Sequence, residues 1–599
     1  MPKKSEWQKM VQTPLNQVLD TRSRPPEIIQ GGFRYKLNMA INSSGKLCRR
    51  DGHAQLSLGS ESANWDHHRR DATRYPITKI HENTSPEGVR QLFDATEKKI
   101  SLLDNATGEW SVLADGLTGG NWRIASLRDK VLFTNNADEP LLYTLGDVSA
   151  AVIPELQAAG NVVGGAIRKA KVVIQFAGVE VLMNIEQDDG VGGTERFSSR
   201  IVWSNYNEAD GWVNAAGLSG DVASYQDLDY GEEILNAVEF GGVIWIFTDR
   251  SIWKMFIQQS GTQVFGFNRW YSEPKNRTAC LAYENALVST GKELLWFGRQ
   301  TIYWANQFSA TPISPDWLSK ASGLVFEGDD RIDSVYCESP VADFLPDALG
   351  AAKEVWFSYP TISTTADAYG INNWSLVISF DIDSTTSHYQ TADYVDHGYT
   401  AFGRFSTNEE GDCKGAPVFI GASGTDYCLK QIGGVYYREM VTLLDGDPYI
   451  DIPDAGVILV RSGYYSIVRG MCPFGYPSND KIVRDLLLDH DTIGDDSLLL
   501  QLRIGNSATV QDPNKLDGNC RVLWHTIDTA PLACGYVLSP EELEAEGMRS
   551  DEGDATAWPM EEIGRYLYFE IKIINSAGTP PVGGNTAWAS FIWDYMLKP

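Results

Sequence analysis

Several features that announce an enzyme or a membrane protein are missing from this chain. No run approaches the roughly 20 consecutive apolar residues that a membrane helix needs. The start, MPKKSEWQKMVQ, lacks the apolar core of a signal peptide. The expectation is a soluble chain made without secretion. The eight cysteines (48, 280, 337, 413, 428, 472, 520, 534) include no CxxC pair and no ladder of close spacings. In a chain of 599 residues they read as free, buried thiols and not as a disulfide framework. Helical periodicity is almost absent. The exception is SPEELEAEG (539–547), with Ser539 as N-cap, Pro540 at the first helical position, Glu542 closing a capping box and Gly547 as terminator.

Catalytic signatures are missing too. There is no HExxH, no GxSxG and no dinucleotide fingerprint, and Lys46 and Lys292 follow glycines outside any phosphate-binding GxxxxGK[ST] loop. The polar clusters that remain read as loops. In NWDHHRRDATRY (64–75), Asp66, His67 and His68 are of metal-binding type, but adjacent histidines on a strand point to opposite faces and rarely share an ion, so the favoured reading is no metal site. DIDSTTSHYQTADYVDH (381–397) gathers Asp381, Asp383, His388, Asp393, Asp396 and His397; the favoured reading is a polar hairpin loop with its flanks, and the alternative is a metal or acid–base site. Asp445, Asp447 and Asp451 lack the glycine and terminal glutamate of a calcium loop, and DHDTIGDD (489–496) is an acidic turn. The repeated S-x-D-x-G-x-T-W boxes of sialidases do not occur. Paired carboxylates from distant loops leave no local trace, so a glycosidase would be invisible here. The expectation is no catalytic residue, no metal and no cofactor.

Aromatics and acid are what the chain has in quantity. Its 18 Trp, 26 Tyr and 22 Phe fall mostly inside short apolar runs, and such residues suit a pleated, half-buried surface. The net charge is −29, unevenly spread: residues 1–50 hold ten Lys or Arg against three acids, which leaves −36 for the remainder. So acidic a body is unsuited to wrapping duplex DNA, which is bound through Lys and Arg that displace counterions. A surface past which DNA must slide without sticking has the opposite requirement.

One outline of sequence recurs. VIWIFTDRSIWKMF (243–256) places an apolar run, a short turn at Thr248–Ser251 and a second apolar run in order, and ELLWFGRQTIYW (293–304) repeats it. IASLRDKVLFTNNADEPLLYTL (124–145) and GAIRKAKVVIQFAGVEVLMNI (165–185) follow the same course, while RQLFDATEKKISLLDNATGEWSVL (90–113) reads as three strands. Short strands between Gly, Asn and Asp turns are the all-β signal. A sheet-forming unit of roughly 40–50 residues, repeated with little identity, points to propeller blades. Six to eight such units fit between residues 86 and 440, with 186–230 and 306–350 as long loops or insertions. The other architecture compatible with the pattern is two or three β-sandwiches in series.

The expected division is a basic arm and attachment region over 1–85, a β-propeller over 86–440 and a β-sandwich-like domain over 441–599. In the last, RYLYFEIKI alternates as a one-sided buried strand, with Leu567, Phe569, Ile571 and Ile573 on one face. Trp245, Trp253, Trp296 and Trp304 read as structural aromatics of the blades. Alternation places Ile244 and Ile246 opposite Val243, Trp245 and Phe247, so Trp245 belongs to blade-to-blade packing.

GGFRYKLNMAINSSGKLCRRDGHAQL (31–56) resembles the opening segment of virion proteins of short-tailed bacteriophages. VWSNYNEADGWVNAAG (202–217) with DYGEEILNAVEFGGVIWIFTDRSIWKM (229–255) is similar to the propeller core of phage tail nozzle (tail tubular) and tail hub proteins. The likeness spans residues 30–440. It implies a non-enzymatic ring, commonly a hexamer, around the channel through which the genome leaves the virion. The implied neighbours are tail or portal-adaptor proteins and tail fibres, with assembly in the host cytoplasm. On that reading Asp227, Asp229, Glu232 and Glu233 of YQDLDYGEE would line the lumen. Arg22, Arg24, Arg34, Lys36, Arg49 and Arg50 would dock on an acidic neighbour. The alternative is a glycan-binding or glycan-cleaving propeller that recognises a host surface.

Overall fold

Strand Val243–Thr248 sends its side chains into two different cores. Ile244 and Ile246 join Trp253 and Met255 against Val181, Met183 and Trp203 of the preceding sheet. Trp245 and Phe247, on the other face, meet Leu294, Trp296 and Tyr303 of the following one. A sheet apolar on both faces must have a neighbour on each side. Applied repeatedly, that requirement produces a propeller.

The structure, a computed structural model, describes residues 77–406 except 104–109, 159, 215–221, 259–263, 273–279, 307–322, 328–330, 346–352, 363–371, 382–387 and 396–397; outside that span it describes only individual strands. The fold is all-β. Among the described residues the α-helices are two four-residue turns, Pro154–Gln157 and Gly323–Phe326. Six antiparallel sheets form the blades. Their innermost strands are β1 (Ile77–Thr84), β2 (Arg123–Leu127), β3 (Ile167–Phe176), β4 (Ile234–Phe240), β5 (Leu287–Ser289) and β6 (Val341–Leu345). The ring closes through a further sheet whose first strand, β7 (Ala401–Ser406), lies between β6 and β1. Gly403 permits this approach, since a Cβ there would overlap the Ile80 side chain.

Each interface repeats the same division of faces. Phe93, Ile100, Trp122, Val131 and Phe133 pack between the first two blades. Leu132, on the opposite face of its strand, meets Ile167, Leu182 and Trp212 of the third blade. Phe297 stacks on Phe357 with centroids 4.5 Å apart, joining the fifth and sixth blades. Trp356, Tyr399 and Phe402 seal the sixth blade against the closing sheet.

The structure departs from the sequence reading in three places. The first blade begins at Ile77, ahead of residue 86. The span 186–230 is not a loop, because Thr194–Trp203 and Ser224–Asp227 are the outer strands of the third blade. The first of these starts with TERFSS, which is exposed or half-buried, and only its last four residues enter the core; an edge half in solvent carries little apolar signal. Finally, the terminal segments interleave. Phe33–Leu37 and Tyr465–Met471 extend the sheet of the sixth blade, and Gln8–Gln12 pairs with Ala587–Leu597. His53–Gln55 lies between Cys428–Gln431 and Leu459–Val460. The expected boundaries at 85 and 440 are therefore crossed by strand pairing. The 539–547 helix, the 64–75 cluster, Asp383, Asp396, His397 and the 445–451 and 491–496 acids lie outside the described residues.

Candidate functional site

The innermost strands point a belt of charge at the propeller axis. Lys171, on β3, donates from Nζ to Glu284 at 2.6 Å and to Glu233 at 3.1 Å. These carboxylates stand just before β5 and β4, so one lysine ties three blades together. Burial works against its charge, but Glu284 and then Glu233 outweigh that cost and hold the ammonium above its ordinary pKa. Asn184 donates to the Ile234 carbonyl at 2.8 Å and accepts from Arg196 Nε at 2.7 Å. It sits at a register shift with φ of 56°, a left-handed conformation that asparagine tolerates better than most residues. Across the axis, Asn121 donates to the Glu338 carboxylate at 3.1 Å, which links the second and sixth blades.

Beside this network lies a cavity of about 290 Å³, bounded by residues of β1, β2, β4, β5, β6 and β7. Lys79 and Arg123 face it, with Asp343, Asn285, Ser289 and Thr78 as other polar lining and Trp122, Leu287 and Phe402 among the apolar walls. Lys79 is half-buried and lines the cavity. Burial, then the neighbouring Arg123 charge, depress its pKa, and Asp343 opposes them. Burial likewise lowers Arg123 to about 10 against the pull of Glu284 and Glu338. His81, one turn of the pleat beyond Lys79, bonds Ser126 through Nε2 at 2.6 Å. Burial, then the Lys79 charge, depress its pKa to about 3, so the ring is neutral at ordinary pH. A space this size admits a small molecule or ordered solvent, and is far too narrow for duplex nucleic acid.

The four acids of YQDLDYGEE are not brought together. Asp227 is on the outer strand of the third blade, paired with Arg200 at 2.7 Å. Asp229 is exposed in a short 3-10 turn. Glu233 reaches the axial lysine. Glu232 cannot line a lumen, because it is 2% exposed and committed to the turn of the following hairpin. It accepts from Thr248 Oγ1 at 2.8 Å, and from Ser251 and Arg269.

Of the docking candidates, Lys36 is buried, 1% exposed, in a strand flanked by Tyr465–Met471, and is thereby removed from any docking surface. Arg34 and Arg49 lie in paired strands, and Arg22, Arg24 and Arg50 fall outside the described residues. Trp245 and Trp296 are fully buried, Trp253 is nearly so, and Trp304 is half-buried. Among the described residues no group of three or more His, Cys, Asp or Glu is arranged to hold a metal. No helix there is long and apolar enough to cross a membrane. The axial residues Lys79, Lys171, Asn184 and Glu284 were not legible as a site, since they come from three different strands and a turn and share no local motif.

No family model matches the chain, and no curated protein matches it in sequence. Among solved structures, it is similar to the Neurospora crassa Pan2 WD40 domain (TM-score 0.34, 9% identity, 64% of this chain and 96% of that one). It is also similar to the computationally designed Ika8 protein (TM-score 0.31, 10% identity, 63% and 100%) and to YCF48 bound to D1 peptide (TM-score 0.33, 11% identity, 61% and 95%).

Proposed function

We propose that this protein is a structural, non-enzymatic component of a short-tailed phage tail that assembles as a ring around the path of genome ejection. The observation that carries the reading is the division of charge: +7 over residues 1–50 and −36 over the rest, on an all-β propeller body. A strongly acidic wall repels DNA and offers no cations to release counterions, so DNA passes without adhering. Complementary basic patches orient docking onto an acidic neighbour.

The conduit on this reading lies between subunits. The propeller axis itself is crossed by the Lys171–Glu284 and Asn121–Glu338 contacts and has no room for a duplex. Asp227, Asp229 and Glu233 remain candidates for an acidic surface, and Glu232 is withdrawn. Arg22, Arg24 and Arg50, which lie outside the described residues, remain docking candidates.

Electron microscopy of the full chain, and of virions containing it, tests the proposal. Closed rings, with six-fold symmetry as the leading expectation, support it. A dispersed monomer at every concentration, absent from the tail, sinks it. A glycan array with a clear positive would transfer the chain to the host-recognition class.

A further inference from the structure

We propose that the axial cavity binds a small organic anion bearing a carboxylate or phosphate group, held between Lys79 and Arg123. Two cations from adjacent blades face one partly enclosed space of about 290 Å³, and Asp343 is its single lining carboxylate. The Arg123 guanidinium donates to the Glu284 carbonyl at 3.4 Å, a long contact, and has no ion pair at 4 Å or less among the described residues. No acceptor among the described residues takes a hydrogen bond from the Lys79 ammonium. Like charges brought together with little water repel, and an anion between them reverses the sign of that interaction. Burial disfavours both charged forms; the Arg123 charge adds to this at Lys79, whereas Glu284 and Glu338 support the charged form of Arg123.

The remaining lining sets the ligand class. Trp122, Leu287 and Phe402 offer an apolar wall to an organic skeleton, and Ser289 and Asn285 offer hydroxyl and amide groups. The volume lies at the lower edge of the ~300–1,000 Å³ usual for small-molecule sites. This inference is independent of the tail assignment, because the site is complete within one chain.

The test is thermal melting of the full-length protein at constant ionic strength, with chloride as reference and phosphate, acetate or citrate as probes. Phosphate or a carboxylate is expected to raise the melting temperature by about 2 °C or more at saturation, and the stronger probe identifies the headgroup. In Lys79→Met the anion-dependent rise disappears, and the anion-free protein melts no lower than the parent, since a repelled charge has been removed. A purely structural lysine would behave oppositely, with a lower melting temperature and an unchanged anion response. Absence of any anion-dependent rise in the parent, or an equal rise in Lys79→Met, overturns the proposal. Should Lys79→Met not fold, Ser289→Leu narrows the same cavity from another wall. Retention of the full anion response in that variant also overturns it.

Discussion

Glu180 is fully buried near the start of strand Val179–Asp188, and neither carboxylate oxygen has a hydrogen-bond partner among the described residues. Burial pushes its pKa up to about 8, from an ordinary value of 4.5. The folded state therefore holds a proton that the unfolded state releases. Stability contributed by this group is full below pH 4.5, falls as pH rises toward about 8, and levels off above. Glu180→Gln removes the titration, so its stability relative to the parent should increase between pH 5 and pH 9. At about 1.4 kcal/mol per pK unit the change is of order 3–5 kcal/mol. Urea midpoints at the two pH values check it, and the fixed cost of a buried amide cancels in the comparison. An unchanged difference would mean that the carboxyl is already ionised in the fold. Glu232 is buried as well, but its partners come from side chains, and its neighbour Asp229 is exposed. Glu232→Ala is expected to cost roughly 3–5 kcal/mol, as for breaking a buried charged pair, whereas Asp229→Ala stays within about 0.5 kcal/mol. Equal urea midpoints for the two variants would contradict this contrast.

Among elements, the hairpin Val243–Ile257 is the most readable. Its two strands, Val243–Thr248 and Ser251–Ile257, fall where the apolar runs fall. Its alternation assigns Ile244 and Ile246 to one core and Trp245 and Phe247 to the other. Trp245 is enclosed by Phe240 and Trp270, and Lys254 covers its ring at 4.0 Å. Trp245→Ala should cost roughly 3–5 kcal/mol in a denaturation experiment, and the half-buried Trp304→Ala distinctly less. A parent-like melting temperature for Trp245→Ala, together with lost sugar binding, would make Trp245 a ligand platform instead. The turn reads less completely. Thr248 and Ser251 are visible as turn residues, but the carboxylate that holds them comes from Glu232, ahead of β4. Thr194–Trp203 is the least readable element, since its first six residues are exposed or half-buried and only the last four are buried.

For the whole molecule, a propeller made of dissimilar blades is held by interfaces that differ in every detail while following one rule of faces. Its axis is crossed by ion pairs, and its edge at the sixth blade is continued by Phe33–Leu37 and by strands beyond residue 458. This continuity affects how the proposed docking role is tested. Deleting residues 1–50 would strip partners from Ala587–Leu597 and Tyr465–Met471, and so confound docking with folding. Reversing charge at Arg22 and Arg24 avoids those strands. In the tail reading, that variant should leave melting unchanged while weakening ring or neighbour assembly, most clearly at low salt where exposed charges act furthest. Sedimentation against salt concentration reads the outcome, and identical assembly by parent and variant would remove these arginines from the docking role.

The sequence by itself determined most of the strands and turns, though not the outer strands of the third blade, and the two-faced apolar pattern that makes a sheet demand neighbours on both sides. Period-2 alternation is a local property, and so are Gly241–Gly242, whose positive φ values of 64° and 74° close the hairpin between β4 and Val243–Thr248. Closure into six blades, the threading of both chain ends into shared sheets, and the meeting of Lys79 with Arg123 were decided only in the tertiary structure. These depend on contacts between residues tens to hundreds of positions apart, such as Asn121 with Glu338. Four acids adjacent in YQDLDYGEE separate to a rim, an exposed turn, a buried anchor and the axis, because the chain there crosses from the outer strand of one blade to the inner strand of the next.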